Sequence, residues 1–191
     1  MTEPDTTPES GWPVVGDDGL ARPPWAAHDP LLREYYDTEW GMPVTDEHGM
    51  FERVCLEGFQ VGLSWRLILQ KRDALREAFQ GFEPEAVASM SIEHLLDDAS
   101  LIRNRRKLEA AVKNAQATLN LREQGTHLGE FVWSYQPEHT PVPRTMAEVP
   151  TRSAESEQLA KDLKKRGFTF VGPVTMYALM ESTGIIDTNL V

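Results

Sequence analysis

From about residue 25 onward the apolar residues of this chain recur at helical spacing, and almost nowhere do they alternate as a half-buried strand requires. The run MFERVCLEGF places Phe51, Val54, Cys55 and Phe59 at offsets that share one helix face. Ser64 stands where it caps a following helix, WRLILQKRDALREAF, and Ser91 where it caps one beginning IEHLLDDA. Asn104 to Leu121 reads as a long amphipathic helix with Leu108, Val112, Ala115 and Leu119 on one stripe. Thr145 and Glu148 have capping-box spacing, and Ser153 opens a helix that runs to Lys165 and stops at Gly167. FTFVG is the only convincing β-like run, and it is short. The pattern predicts an all-α domain.

Size and composition agree with one such domain plus a tail. The chain has 191 residues, 40% of them hydrophobic and 26% charged, enough apolar material for a real core. Its single cysteine, Cys55, excludes an internal disulfide framework and any site built from several thiolates, and suits a reducing compartment such as the cytoplasm. No stretch approaches the roughly 18 apolar residues of a membrane span, and neither a basic start nor an apolar signal core opens the chain. Residues 1–21 are acidic and proline-bearing, without Lys or Arg, and are expected to form a flexible tail ahead of a helical domain over 22–191.

The formal charge of −11 argues against a nucleic-acid partner, which is held largely by neutralising phosphates. The distribution argues the other way. Arg103, Arg105, Arg106, Lys107 and Lys113 crowd one segment, and KDLKKR over 161–166 forms a second cluster just before Gly167.

Three segments are candidates for chemistry. Gly167 to Pro173 lies between the basic helix and the apolar helix VTMYALMEST. Two glycines around a tight turn let a backbone approach closely, and the free N–H groups of the next helix can receive a phosphate. The alternative is an ordinary helix–turn–helix corner packed on Phe168 and Phe170. In Cys55 to Trp65, one carboxylate, Glu57, stands among apolar residues beside Gly58 and Gly62. It is either a solvated charge at a helix end or a pocket acceptor that needs donors, such as a base's exocyclic amino group. In His28 to Gly41, with Trp25 just upstream, aromatics at 25, 35, 36 and 40 are concentrated in a chain that is 8% aromatic. Core packing accounts for two or three; a stacking pocket is the sharper reading, since a base gains about 1–3 kcal/mol per aromatic face.

Taken together, these segments resemble a known family. Tyr35-Tyr36-Asp37-Thr38-Glu39-Trp40-Gly41-Met42-Pro43, Leu56-Glu57-Gly58, Gly62-Leu63-Ser64-Trp65 and Lys164-Lys165-Arg166-Gly167 through Pro173 are similar, in order and spacing, to the DNA-3-methyladenine glycosylase I (Tag) family of the helix-hairpin-helix glycosylase superfamily. Ile102 to Arg105 and Trp133-Ser134 also resemble family segments, so the likeness runs from about residue 22 to the end. It implies a helix-hairpin-helix glycosylase fold and a monofunctional enzyme that flips alkylated purine, chiefly 3-methyladenine, out of damaged double-stranded DNA and hydrolyses its N-glycosidic bond. It makes Glu57 the carboxylate that binds the excised base and Tyr35 and Trp65 its stacking partners, with Trp25 and Trp40 lining the site. Gly62 and Leu63 fall in the loop that fills the gap left in the duplex, and Lys164, Lys165 and Gly167 to Gly172 grip the phosphodiester backbone. A monomer is expected, bacterial and cytoplasmic, nucleoid-associated when acting, with the free alkylated base as product. The alternatives are a homologue with a shifted lesion range and a non-catalytic module for DNA or a free base.

One family feature is missing. Members bind a structural zinc through two cysteines and two histidines, but here Pro23-Pro24 replaces the first cysteine, Tyr36 the first histidine and Asn189 the second, and Val191 ends the chain before the last cysteine. No metal and no other cofactor is therefore expected, with Tyr36 packing on the C-terminal segment as the substitute. Asp187-Thr188 is also similar to the step at which other helix-hairpin-helix glycosylases place a catalytic aspartate, the alternative being a helix cap.

Overall fold

Side-chain caps set where five of the helices begin, and one central helix collects the rest. The computed structural model describes residues 13–143 and 145–187. Val14–Val15 (β1) pairs antiparallel with Ala21–Arg22 (β2) and leads into the short helix Pro24–Ala27 (α1). Helix Pro30–Thr38 (α2) starts on Asp29, whose carboxylate accepts from Leu31 N at 2.9 Å and Leu32 N at 3.2 Å, with Pro30 suited to the first turn. Asp46 caps Glu47–Gln60 (α3) through Gly49 N at 2.7 Å, and Ser64 caps Trp65–Ala78 (α4) through Leu67 N at 3.3 Å. After Pro84–Ala88 (α5), Asn104 caps Arg105–Glu123 (α6) through Lys107 N at 3.3 Å. Leu128–Trp133 (α7) follows, then Ala154–Lys165 (α8), whose Ser153 and Ser156 cap each other's backbone, and Pro173–Ser182 (α9).

Helix α3 forms the centre. Met50, Phe51, Val54, Cys55, Leu56 and Phe59 are buried on more than one face, against α4, α6, α7 and α9. Each such side chain removed from water contributes about 1.5–3 kcal/mol. Because α3 is enclosed, its last turn, which carries Glu57, is held rigidly within the core.

The structure departs from the sequence pattern in four places. Residues 93–95 form only a 3-10 turn, uncapped by Ser91. The six residues between Ser91 and the Asp98–Ser100 turn are too few to propagate a helix, and Ile92 and Leu95 instead anchor the segment in the core. FTFVG is not a strand but the loop between α8 and α9. The strands lie at 14–15 and 21–22, so part of the expected 1–21 tail is a hairpin; residues 1–12 of that tail lie outside the described residues. Its anchor is Arg22, 2% exposed, which grips Asp18 (2.9 and 2.7 Å) and Asp37 (2.8 and 2.6 Å). Finally, α6 buries far more than a stripe, including Lys107, Asn114 and Thr118, because α5 and α3 pack on different sides of it.

Candidate active site: an aromatic pocket over a buried carboxylate

Helices α2, α3, α4 and α9 enclose a cavity of about 530 Å³ lined by Trp25, Tyr35, Tyr36, Trp40, Glu57, Gln60, Trp65, Tyr177 and Glu181, among others. The structure thus brings together every aromatic residue singled out at 25, 35, 40 and 65, with Glu57 in the same wall. Glu57 is 5% exposed, which excludes the solvated helix-end reading. Its closest partner is the Ser182 hydroxyl, which donates to Glu57 Oε1 at 3.4 Å and to Leu179 O at 3.2 Å, so the carboxyl is only weakly satisfied. Burial pushes its pKa up to about 8, opposed by the Ser182 bond and the Arg53 charge and reinforced by the Glu181 charge. At neutral pH burial therefore favours a neutral Glu57, and a cation brought beside it would favour its ionised form.

Tyr35 and Trp65 meet at 5.4 Å between ring centroids with their planes inclined by 53°. A parallel slot for an inserted base needs about twice the roughly 3.5 Å stacking distance. These two rings instead make a corner, and a base stacks on the face each turns to the cavity. Trp25, Tyr36 and Trp40 form the second wall, with Tyr36 nearly parallel to Trp40 at 5.3 Å and edge-on to Trp25 at 5.5 Å. Burial raises the Tyr35 phenol well above its usual pKa, so it stays a protonated donor.

The loop after α3 is tied down from outside the pocket. Lys107 donates from Nζ to Phe59 O at 2.7 Å and to Val61 O at 2.5 Å, a cation on the carbonyl end of the helix. Gly62 then sits at φ +76 with open space around its Cα, while Leu63 turns inward onto the core and Val61 remains the exposed apolar residue.

The α8–α9 turn is clamped by one side chain. Asn114, 2% exposed, accepts from Thr169 N at 2.8 Å and donates to Thr169 O at 3.2 Å, pairing with the loop as a neighbouring strand would. Gly167 at φ +94 closes α8 in a conformation that side chains resist. Gly172 has only Thr175 within reach of an added Cβ, so the start of α9 is open to an approaching group. Lys164 and Lys165 are exposed at the end of α8, where Lys165 pairs with Asp162 at 2.9 Å. A groove alongside is lined by Arg106, Glu109, Ala110 and Lys113 of α6 together with Thr169 and Phe170, two cations against one carboxylate.

Several lining residues escaped the sequence reading. Val174, Tyr177, Ala178 and Glu181 stand at i, i+3, i+4 and i+7 on α9 and form one wall; Tyr177 and Glu181, two polar interruptions in an apolar helix, were the available signal. Val149 to Thr151 also line the cavity and carried no signal. Asp187 is exposed and absent from the lining, and Thr188 lies outside the described residues.

The residues where the family holds zinc do not suit it here. Pro23 has no donor atom, Tyr36 is engaged in ring packing, and Cys55 is buried in α3 with its thiol pKa driven up by desolvation. Asn189 lies outside the described residues. Among the described residues, no three His, Cys, Asp or Glu side chains gather as a metal set. The connection between α2 and α3 is joined by backbone to the end of α9, Gly41 N to Ser182 O at 3.1 Å and Val44 N to Thr183 O at 3.3 Å.

Comparison with known proteins places this pocket in context. The DNA-3-methyladenine glycosylase of Haemophilus influenzae is 43% identical over 175 residues, covering 88% of this chain and 94% of the relative. DNA-3-methyladenine glycosylase 1 of Escherichia coli is 43% identical over 173 residues, covering 87% and 92%. Among solved structures, a 3-methyladenine DNA glycosylase I crystal structure matches with a TM-score of 0.83 at 39% identity, covering 87% of this chain and 94% of that one. A Tyr-to-Phe variant of 3-methyladenine DNA glycosylase I in complex with 3-methyladenine matches at 0.82 and 36% identity, covering 87% and 92%. The model of the methyladenine glycosylase family matches residues 25–191, and the chain belongs to that family.

Proposed function

We infer that this protein is a DNA-3-methyladenine glycosylase, a hydrolase of base-excision repair that cleaves the N-glycosidic bond of the alkylated base. The observation that carries the reading is Glu57, a buried carboxyl in a cavity that six aromatic side chains also line, Trp25, Tyr35, Tyr36, Trp40, Trp65 and Tyr177. A 3-methylated adenine in DNA carries a ring charge. Indole and phenol faces favour a cation over a neutral base, and Glu57 supplies the matching negative charge once the cation drives off its proton.

That ring charge also weakens the glycosidic bond, so the chain is asked for extraction and recognition rather than strong acid catalysis. The bond's electron pair leaves with the base, which becomes neutral, and positive character builds on the sugar. Water adds its oxygen to the anomeric carbon and gives up a proton to solvent. Extrusion of the nucleotide costs a few kcal/mol, least for a damaged base.

In this reading Tyr35 and Trp65 stack on the flipped base, and Trp25 and Trp40 close the far wall. The loop of Gly62 and Leu63 faces the gap in the duplex, where Val61, and not the inward-turned Leu63, offers the exposed apolar side chain. Gly167 to Gly172 hold the backbone through the open start of α9, with Lys164 and Lys165 adding charge. The protein acts as a monomer on double-stranded DNA in the cytoplasm, and zinc has no part in it. Chromatographic measurement of bases released from methylated DNA tests the reading. Wild type releases 3-methyladenine and Glu57→Gln releases far less; equal release by both removes Glu57 from the mechanism, and none by wild type overturns the activity.

A further inference from the structure

Of the residues that line the cavity, Ser64, Arg66, Thr151 and Val174 are exposed, whereas Glu57 and Tyr177 are buried, so the first four mark where it opens. Among the described lining residues Arg66 is the one lysine or arginine, set against the carboxyls of Glu57 and Glu181. Its side chain is half exposed and is held at one edge. Nε donates to Asp29 Oδ2 at 2.5 Å, while Asp29 Oδ1 accepts from Leu31 N and Leu32 N at the start of α2. Nη1 and Nη2 of Arg66 make no hydrogen bond among the described residues, which leaves the other edge of the guanidinium open.

An exposed ion pair of this kind contributes at most about 1 kcal/mol to folding. Stability alone gives little reason for an arginine at the mouth of an aromatic cavity. The ligand gives a better one. A nucleotide whose base fills the cavity leaves its sugar and its flanking phosphates at the opening. A guanidinium edge matches two phosphate oxygens through parallel N–H···O bonds. The pairing with Asp29 does not use up this capacity. Lys165 gives its single nitrogen to Asp162, whereas Arg66 pairs through Nε, and Asp29 shares its charge with two backbone N–H groups.

We propose that Arg66 is a DNA-binding residue whose Nη1–Nη2 edge takes a phosphate flanking the extruded nucleotide. The proposal rests on the functional reading above.

Arg66→Gln and Asp29→Asn test it together, through duplex affinity over a salt series, release of 3-methyladenine from methylated DNA, and binding of free 3-methyladenine. Arg66→Gln is expected to lower affinity for methylated duplex about tenfold and the slope of log affinity against log salt by about one. Release at limiting enzyme falls with it. Binding of free 3-methyladenine, which carries no phosphate, stays at the wild-type level. Asp29→Asn keeps a cap for α2 but removes the ion pair, and binds duplex as tightly as wild type or more tightly. Wild-type duplex affinity and slope in Arg66→Gln overturn the proposal while leaving the glycosylase reading intact. A loss of duplex affinity shared by Asp29→Asn also overturns it, because the ion pair rather than the open edge is then what matters. So does an equal loss of free-base affinity in Arg66→Gln, which places the effect inside the cavity. Wild type that neither binds nor releases 3-methyladenine removes the functional reading and this proposal together.

Discussion

Arg53 donates from Nη1 to the Tyr35 hydroxyl at 3.3 Å and from Nη2 to Glu39 at 3.0 Å. The phenol oxygen is thereby an acceptor toward the guanidinium, and its proton is left to point elsewhere. Arg72 holds the same Glu39 with two bonds, at 2.7 and 2.8 Å, so a three-residue ionic network behind the pocket sets the rotamer of the ring in front. Arg53 is a positioning residue here, acting through Tyr35 and through its charge on Glu57.

Arg53→Met is expected to lower 3-methyladenine release roughly tenfold or more, the worth of one charge-assisted bond. Its distinguishing mark is the pH profile. Without the Arg53 charge the Glu57 pKa climbs further, so the pH at which excision reaches its plateau moves upward. A general loosening of the fold lowers activity without that shift.

Glu57 itself makes stability depend on pH in a defined direction. Its pKa is raised from 4.5 to about 8 on folding, so between those values the unfolded chain gives up a proton that the folded pocket keeps. Folding stability falls as pH rises through that window and levels off above it. Thermal melts of wild type and Glu57→Gln should agree near pH 4.5 and diverge by pH 8, with the variant more stable by a few kcal/mol. At pH 7, binding a methylated lesion should also release a proton, seen as a dependence of the calorimetric enthalpy on buffer ionisation and lost in Glu57→Gln.

Much of this was legible in the sequence, for physical reasons particular to each element. Ser64, Asn104 and Ser153 announce helix starts because a cap acts within three residues of itself. Glu57, Tyr35 and Trp65 stood out because a carboxylate among glycines and apolar residues, near clustered aromatics, is unusual chemistry in a short span. The wall contributed by α9 did not stand out, since its apolar pattern reads equally as core, and Met176, Leu179 and Met180 are core. Nor did the Asn114–Thr169 clamp, which joins residues 55 apart and leaves no local trace. The β1–β2 hairpin was hidden because Arg22 pairs with Asp37, outside the acidic segment whose composition read as a tail.

Metal independence is open to direct test. If the Tyr36–Trp40 stack and the Gly41–Ser182 backbone bond replace a metal tie, chelator treatment and added zinc each leave the melting temperature unchanged. A chelator-induced fall of several degrees means that zinc is held after all. Tyr36→Ala should lower stability by less than the roughly 3 kcal/mol lost with a fully buried aromatic, because Tyr36 is half-buried at the cavity wall.

The basic groove beside the hairpin makes a prediction about salt. Arg106 and Lys113 flank Thr169 and Phe170, on the surface through which the hairpin would meet a DNA backbone. Replacing either with Ala should weaken binding to any duplex and reduce the slope of log affinity against log salt by about one. Lys165→Ala should change it less, because Lys165 already pairs with Asp162. Equal slopes for all three variants and wild type exclude this face from the interface.

Asn114 separates the two halves of the site. Its amide pairs with both backbone groups of Thr169, so Asn114→Ala leaves a partly buried N–H and C=O without their partners and frees the turn from α6. Two such bonds and the exposed ends they leave are worth about 2–4 kcal/mol of stability. The turn that loosens is the one proposed to meet the DNA backbone, whereas Tyr35, Glu57 and Trp65 are held by α2, α3 and α4. Asn114→Ala should therefore weaken duplex binding at low temperature, where the variant is fully folded, while affinity for free 3-methyladenine stays near wild type. Parallel loss of both affinities would mean that the turn and the pocket form one cooperative unit, transmitted where Phe170 packs within 3.3 Å of a Cβ placed on Gly58, next to Glu57.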